Sequence, residues 1–271
     1  MTATQGWSRQ AGALIRAAHA APAVAVTLLT VALALADDAD PTTMTVVVLA
    51  VFSGQLLVGW SNDLIDRGRD KLVGRTDKPL ATGDVSPRTV VIALTVATVV
   101  CVVSSFACGW AAGTLHLVLG VGSALAYNAY LKSTVLSWLP YFLAFGSLPA
   151  IVSLAVDPSS LPPIWMVAVA ALLGVGAHLV NALPDLDDDA ATGVSGLPHR
   201  LGASRVPVVS TVLLVGASAI AVVANSSIWW LWPGLAVVVL VAVITMRMRG
   251  RAPFYGAIVI AGIDAAMLVL I

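Results

Sequence analysis

Nine stretches of about membrane-spanning length, almost free of charge, follow one another along this chain. A helix needs about 20 apolar residues to cross the hydrocarbon layer of a bilayer. Runs of that kind fall at 15–36, 44–61, 88–107, 110–128, 136–156, 162–183, 206–223, 228–246 and 254–271. Of the 271 residues, 59% are hydrophobic and only 10% charged, and the mean hydropathy is +0.96. Such a chain is neither disordered nor a nucleic-acid binder, and an aqueous globule could not hide that much apolar surface. The expected fold class is therefore an all-α integral membrane protein of nine transmembrane helices, a single domain over 1–271. Cap loops are expected at about 62–87 and 184–205. The first run shows no small-residue cleavage site and reads as a span, not a signal peptide. Gly109 separates the third and fourth runs and predicts a tight hairpin. Cys101 and Cys108 lie in or beside one apolar run and read as buried membrane thiols without a disulfide framework.

Nine crossings sort the cations. Arg9 and Arg16 precede the first run, and Arg67, Arg69, Lys71, Arg75, Lys78 and Arg88 lie between the second and third. Lys132 follows the fourth, Arg200 and Arg205 the sixth, and Arg247, Arg249 and Arg251 the eighth. All of them then share one side, which the positive-inside rule makes cytoplasmic. The expected placement is the plasma membrane with a cytoplasmic N-terminus. Asp37, Asp38, Asp40 and Asp157 fall on the opposite side, where Trp110, Trp165, Trp229, Trp230 and Trp232 mark the interface. Trp7, Trp60 and Trp138 mark the inner one.

The acidic residues are all aspartates, fourteen of them without a single glutamate. They carry a repeat. Asn62, Asp66 and Asp70 end the second run, and Asn181, Asp185 and Asp189 end the sixth, offset by 119 residues. The pattern N-x-x-x-D-x-x-x-D thus occurs twice, each time at the cytoplasmic end of a span, which suggests two four-helix units with a ninth helix appended. Repeats in membrane proteins place their site between the two copies. A spacing of four lines these oxygens up along one helix face, where like charges repel. A cation must offset that repulsion. Oxygen-only donors suit Mg²⁺, which commonly takes one or two carboxylates plus the phosphates of a substrate. Arg67, Arg75 and Lys78 follow the first motif, Lys132 ends the fourth run on the same side, and all suit a phosphate group.

These residues resemble the UbiA superfamily of intramembrane prenyltransferases, which includes terpene cyclases. Asn62, Asp63, Asp66 and Asp70 are similar to that family's N-D-x-x-D-x-x-x-D, and Asp185 and Asp189 to its second motif. The run Arg75-Thr76-Asp77-Lys78-Pro79-Leu80-Ala81-Thr82-Gly83 is similar to R-T-x-R-P-L-x-x-G, with Lys78 in place of the second arginine. Tyr127 and Lys132 resemble a Tyr-x-x-x-Lys pair with one residue inserted. The family's G-x-K-S after the second motif is not matched, since Gly193-Val194-Ser195-Gly196-Leu197-Pro198 follows here. The resemblance implies that Asn62, Asp63, Asp66, Asp70, Asp185 and Asp189 bind two or more Mg²⁺ ions. Of these, Asp66, Asp70, Asp185 and Asp189 are the catalytic set. The metals would hold the diphosphate of an isoprenoid, with Arg67, Arg75, Lys78 and Lys132 completing the clamp.

Release of pyrophosphate leaves an allylic cation that must be kept from water. Gln55, Tyr127, Asn128, Tyr130, His178 and Asn181 are expected at the substrate chamber, with Trp138, Tyr141, Phe142 and Phe145 as further aromatic faces. Pro149 and Pro184 are expected to bend the fifth and sixth spans. His116 and Asp264 also fall inside spans, where polar groups are functional hypotheses. His116 reads as structural, and Asp264 as one half of an interhelical pair or as a group in contact with water. Three functions remain open at this point. A prenyltransferase would pass the prenyl group to an aromatic or other lipophilic acceptor. A cyclase would close the chain on itself without one. A cation or solute transporter would place its polar site near the bilayer midplane, whereas these acidic clusters sit at one rim.

Overall fold

A computed structural model of the chain describes residues 3–191, 193–248 and 252–271. Arg249 and Arg251 lie outside the described residues, as do the side chains of Trp7, Arg9, Asp187 and Asp188. The described residues are helical throughout, with no strand among them. In order come α1 (Ala3–Ala17), α2 (Ala20–Ala36), α3 (Pro41–Leu72), α4 (Pro79–Thr82), α5 (Pro87–Ala107) and α6 (Trp110–Leu115). A π-helical stretch, His116–Gly122, joins α6 to α7 (Ser123–Ala129). Then follow α8 (Leu139–Val156), α9 (Ile164–Ala182), α10 (Leu186–Ala191), α11 (Leu197–Leu201), α12 (Val206–Ala224), α13 (Leu231–Arg247) and α14 (Ala252–Leu270).

Six helical segments are long and apolar enough to cross a bilayer, and the bent pair Gln10–Ala17 with Ala20–Ala36 would make a seventh. Leu231–Arg247 and Phe254–Leu270 are shorter apolar helices. Large side chains such as Val96, Val99 and Val103 on α5, or Leu240 and Val243 on α13, point outward uncovered. In water that surface would drive aggregation, whereas lipid solvates it. The hairpin expected at Gly109 joins α5 to α6, and the glycine has φ +99°, a backbone region other residues avoid.

Three expectations are corrected. The cap loop does not begin at residue 62, because α3 runs on to Leu72. At 1.5 Å per residue its 32 residues extend about 48 Å, well beyond an apolar layer of about 30 Å, so the first acidic motif is helical. The second motif does not lie on one helix. Pro184 has no N–H for the α9 ladder, and Leu183–Asp185 form a 3₁₀ turn before α10 starts afresh. Asn181 thus ends α9, Asp185 sits in the turn and Asp189 in α10. Finally, Trp60 is no interfacial anchor. It is buried, and its indole N–H donates to the Leu14 carbonyl at 3.0 Å.

That contact belongs to an elbow. Between α1 and α2 the chain bends by 65°. His19 takes a left-handed conformation there, φ 54° and ψ 56°. The elbow packs so closely on α3 that a Cβ at Gly59 would lie 2.3 Å from the Ala18 carbonyl oxygen. Only glycine permits that approach. Ala13, Ala17, Leu57, Trp60, Leu80, Val85 and Val90 form one buried cluster around it. A larger one joins α2, α3, α8, α9, α12, α13 and α14 through Leu33, Val47, Val152, Val169, Leu214, Val238 and Ile260. Inside the larger one, Ser218 of α12 donates to Asp264 of α14, the interhelical pair expected for that aspartate. His116 is buried and shares a hydrogen bond with Ser105 at 2.8 Å.

Candidate active site

The end of α3 carries the first motif into a ring of cations. Lys132 Nζ donates to both oxygens of Asp66, at 2.5 and 2.7 Å, and Arg69 pairs with the same carboxylate. Lys132 lies in the 3₁₀ turn Leu131–Ser133 after α7, so the contact spans 66 residues of sequence. Burial of the ammonium lowers its pKa to about 7, and Arg69 acts in the same sense. The carboxylates of Asp189 and Asp70 act on it in the opposite sense. One lysine therefore stands in the field of both acidic motifs.

The segment after α3 turns back toward the site by local rules. Pro79 occupies the first turn of α4, where its missing N–H costs nothing, and Gly83 ends the turn at φ +85°. Leu80 anchors α4 in the core. Lys78 thereby sits at the cap of α4, and its Nζ lies 2.8 Å from Asp63 Oδ1 and 2.9 Å from His19 Nε2. Among the described residues, Arg75 reaches the carboxylates of Asp77 and Asp185. Its Nε and Nη2 donate to Asp77 at 2.8 and 2.7 Å, and its Nη1 donates to Asp185 at 3.1 Å. The hydrogen bonds from Arg75 hold the Asp77 carboxyl at about 2, and those with Asp77 raise the Arg75 guanidinium above its ordinary value. Arg75 thus ties the loop after the first motif to the second motif. Asp189 faces His199 Nε2 at 3.5 Å, and burial raises its carboxyl above the usual range.

Beneath this rim three rings meet. Tyr141 stacks on His178 with centroids 4.5 Å apart, and Tyr127 meets both edge-on, at 5.2 and 5.6 Å. Ser137 Oγ accepts from the Leu197 N–H at 2.9 Å and shares a second hydrogen bond with His178 Nε2 at 3.1 Å. That pair of bonds ties the ring wall to the segment entering α11.

The remaining expected residues are placed as follows. Asn128 donates to the Val58 carbonyl and to Ser61 Oγ, at 2.9 and 2.8 Å, and so spends its amide on packing α7 against α3. Tyr130 is exposed, at 73%. Arg67 has a buried Nε without a hydrogen-bond partner. Asn62, Asp70 and Gln55 are partly buried on α3, and Asn181 is exposed at the end of α9. Asp63 is 1% exposed, with Oδ1 committed to Lys78 and His19 and Oδ2 buried without a partner. Sequence reasoning missed His19, Ser137 and His199. A histidine in an alanine-rich stretch and a serine before a tryptophan carry no spacing signal. His199 follows the acidic motif by ten residues, and its proximity to Asp189 depends on the fold alone.

The UbiA prenyltransferase family model matches residues 23–253. Protoheme IX farnesyltransferase 1 of Paramagnetospirillum magneticum is 31% identical over 207 residues, which cover 72% of this chain and 71% of that one. The chain belongs to the UbiA prenyltransferase family. Its fold is the UbiA fold. An apo structure of a UbiA homolog from Aeropyrum pernix K1 superposes with a TM-score of 0.70 at 20% identity, covering 90% of this chain and 97% of that one. A UbiA homolog from Archaeoglobus fulgidus bound to GPP and Mg²⁺ superposes with a TM-score of 0.64 at 15% identity, covering 96% and 100%. As a UbiA protein with several apolar helices of spanning length, this chain is an integral membrane protein.

The donor chemistry of the UbiA site suits a hard divalent ion. It offers carboxylates and an amide oxygen, and among the described residues no three His, Cys or Asp side chains form a ready-made cage. Magnesium needs none, because it retains water and shares substrate oxygens. The carboxylates here are held by ammonium and guanidinium groups, which are themselves ligands for phosphate.

Proposed function

We propose that this protein ionises an isoprenyl diphosphate with the help of Mg²⁺ and transfers the prenyl group to a lipophilic acceptor. One observation carries the reading. Lys132 and Arg75 each grip an aspartate of a different motif, so the carboxylates and the phosphate-binding cations already share one surface. Asp66, Asp70, Asp185 and Asp189, with Asn62, are the residues that would hold the metal. Asp63, committed to Lys78 and His19, takes a supporting place behind them. Bound Mg²⁺ would supply charge stabilisation to the departing diphosphate. Arg75, Lys78 and Lys132 bind the same oxygens and keep the diphosphate at the rim. The prenyl tail runs into the apolar interior past Tyr127, Tyr141 and His178. Those rings would offer polarisable faces to an allylic cation that must be kept from water. The same reading carries nine crossings in two four-helix units plus one, and a plasma-membrane protein with both motifs on the cytoplasmic side.

The relative's name makes a farnesyl donor the first to try and leaves the acceptor of this chain to be found. The test uses purified protein in lipid nanodiscs with Mg²⁺ and C10 to C20 prenyl diphosphates, with and without membrane extract. Pyrophosphate release and a prenylated product are expected only with the extract. A discrete cyclic hydrocarbon formed without it would replace the transferase reading by a cyclase.

A further inference from the structure

We propose that His19 is a positioning residue for Lys78, and that the α1–α2 elbow thereby sets the affinity of the site for the diphosphate head. The proposal rests on the reading that Lys78 grips the diphosphate. Three atoms form a nearly equilateral triangle: His19 Nε2, Lys78 Nζ and Asp63 Oδ1, with sides of 2.9, 2.8 and 2.9 Å. An ammonium has three hydrogens. A carboxylate only accepts, so the His19 Nε2–H and one Lys78 hydrogen both go to Asp63 Oδ1, and the other ammonium hydrogens are left for an anion. The lysine stem is flexible, and without an oxygen held in place by His19 its head would sample many rotamers at an entropic cost to any ligand it binds.

The backbone at His19 supports the assignment. A left-handed conformation at a non-glycine residue is costly and persists where the surroundings over-determine it. Here they do. Ala18 is pressed against Gly59, the Trp60 indole holds the Leu14 carbonyl, and Arg16 pairs with Asp84 at 3.3 Å. All these anchors act on the last turn of α1 or on the elbow itself, and two of their partners immediately precede the first motif on α3. The elbow is thus locked to the helix that carries Asp63, and its one imidazole is delivered to Lys78. The Asp63 carboxylate is 1% exposed with Oδ2 unpartnered, so it depends on the Oδ1 contacts to stay in place. A purely structural elbow would be served better by glycine at position 19.

The experiment measures binding of magnesium pyrophosphate to the full chain in nanodiscs by calorimetry, so it needs no turnover. His19→Gly keeps the backbone at ease and removes the imidazole. It is expected to weaken binding about tenfold, the scale of one charge-assisted hydrogen bond. His19→Asn, which tolerates the left-handed region and retains an N–H donor for Asp63, is expected to bind better than His19→Gly. Lys78→Ala is expected to weaken binding at least as much as His19→Gly, and adding His19→Gly to it should cost nothing more. If the glycine variant does not fold, the same cycle built with His19→Asn decides. The proposal is overturned if the His19 variants bind as wild type, or if their losses add in full to that of Lys78→Ala. If Asp66→Ala abolishes binding while the Lys78 and His19 variants do not matter, this inference falls and the diphosphate reading stands. If the wild-type protein binds no magnesium pyrophosphate, both fall.

Discussion

The two acidic motifs share a pattern but not a backbone. The first rides on α3 as one uninterrupted helix, and its Asp66 is 15% exposed beneath Lys132 and Arg69. The second is broken by Pro184, and its Asp185 is 44% exposed with Arg75 reaching it from across the site. A 3₁₀ turn advances each residue by about 120° where an α-helix advances it by about 100°. Three such residues therefore rotate everything beyond them by about 60° relative to a continuous helix. Copying a sequence pattern onto both halves has not copied the geometry. One half holds its paired Asp66 mostly buried, and the other holds its paired Asp185 half in solvent and at a different angle.

The largest effect expected is on activity and strikes both halves alike. Asp66→Ala and Asp185→Ala should each reduce pyrophosphate release by about a hundredfold or more, since on the proposed reading each removes a carboxylate that would hold the metal stabilising the departing diphosphate. Stability should separate them. Asp66→Ala leaves Lys132 buried without its carboxylate and should cost about 1–3 kcal/mol. Asp185→Ala removes a half-exposed carboxylate paired with Arg75 and should cost no more than about 1 kcal/mol. Thermal unfolding in detergent reads the difference, and equal melting temperatures would dissolve the distinction between a mostly buried and a half-exposed pair. Removing divalent ions with EDTA should abolish turnover of wild type and leave its helix content unchanged, with Mg²⁺ restoring activity. Turnover that survives chelation would remove the metal from both halves.

Pro184→Ala tests the break itself. An alanine there lets α9 continue, which favours the helix and undoes the rotation of Asp189. Activity should fall about tenfold while the melting temperature holds or rises, because the loss is one of alignment. An active, stable variant would mean that the turn is a by-product of the proline and that the second motif works from either geometry.

These contrasts mark how far the amino-acid sequence could be read. Hydropathy alone located most of the helices, because lipid demands long apolar runs and internally bonded backbone. The carboxylates of both motifs stood out, because charges spaced by four on an apolar chain have little other reason to be there. The length of α3 did not. The spacing of four puts Asn62, Asp66 and Asp70 on one helix face, but the loss of hydropathy after Ser61 sets the cap loop there too early. Arg69 pairs with Asp66 one turn earlier and helps the helix continue. The contacts of Asn128 and His19 are hidden for the converse reason. Their partners lie 70 and 44 residues away, and no local spacing announces a contact across the fold.

The subtlest test acts on the bridge between the halves. Arg75 uses two nitrogens of its planar head on Asp77 and a third on Asp185. A lysine has the charge but not the fork, and it cannot hold both carboxylates at once. Arg75→Lys should therefore leave the fold intact and loosen only the placement of Asp185, raising KM for the prenyl diphosphate about threefold with kcat nearly unchanged. Asp77→Asn weakens the same bridge from its other end by removing the charge that Arg75 leans on. If the bridge aligns the second motif, the double variant should be no worse than Arg75→Lys alone. If the two losses add, Asp77 serves the loop and Arg75 serves the substrate, and the halves are brought together by the diphosphate itself.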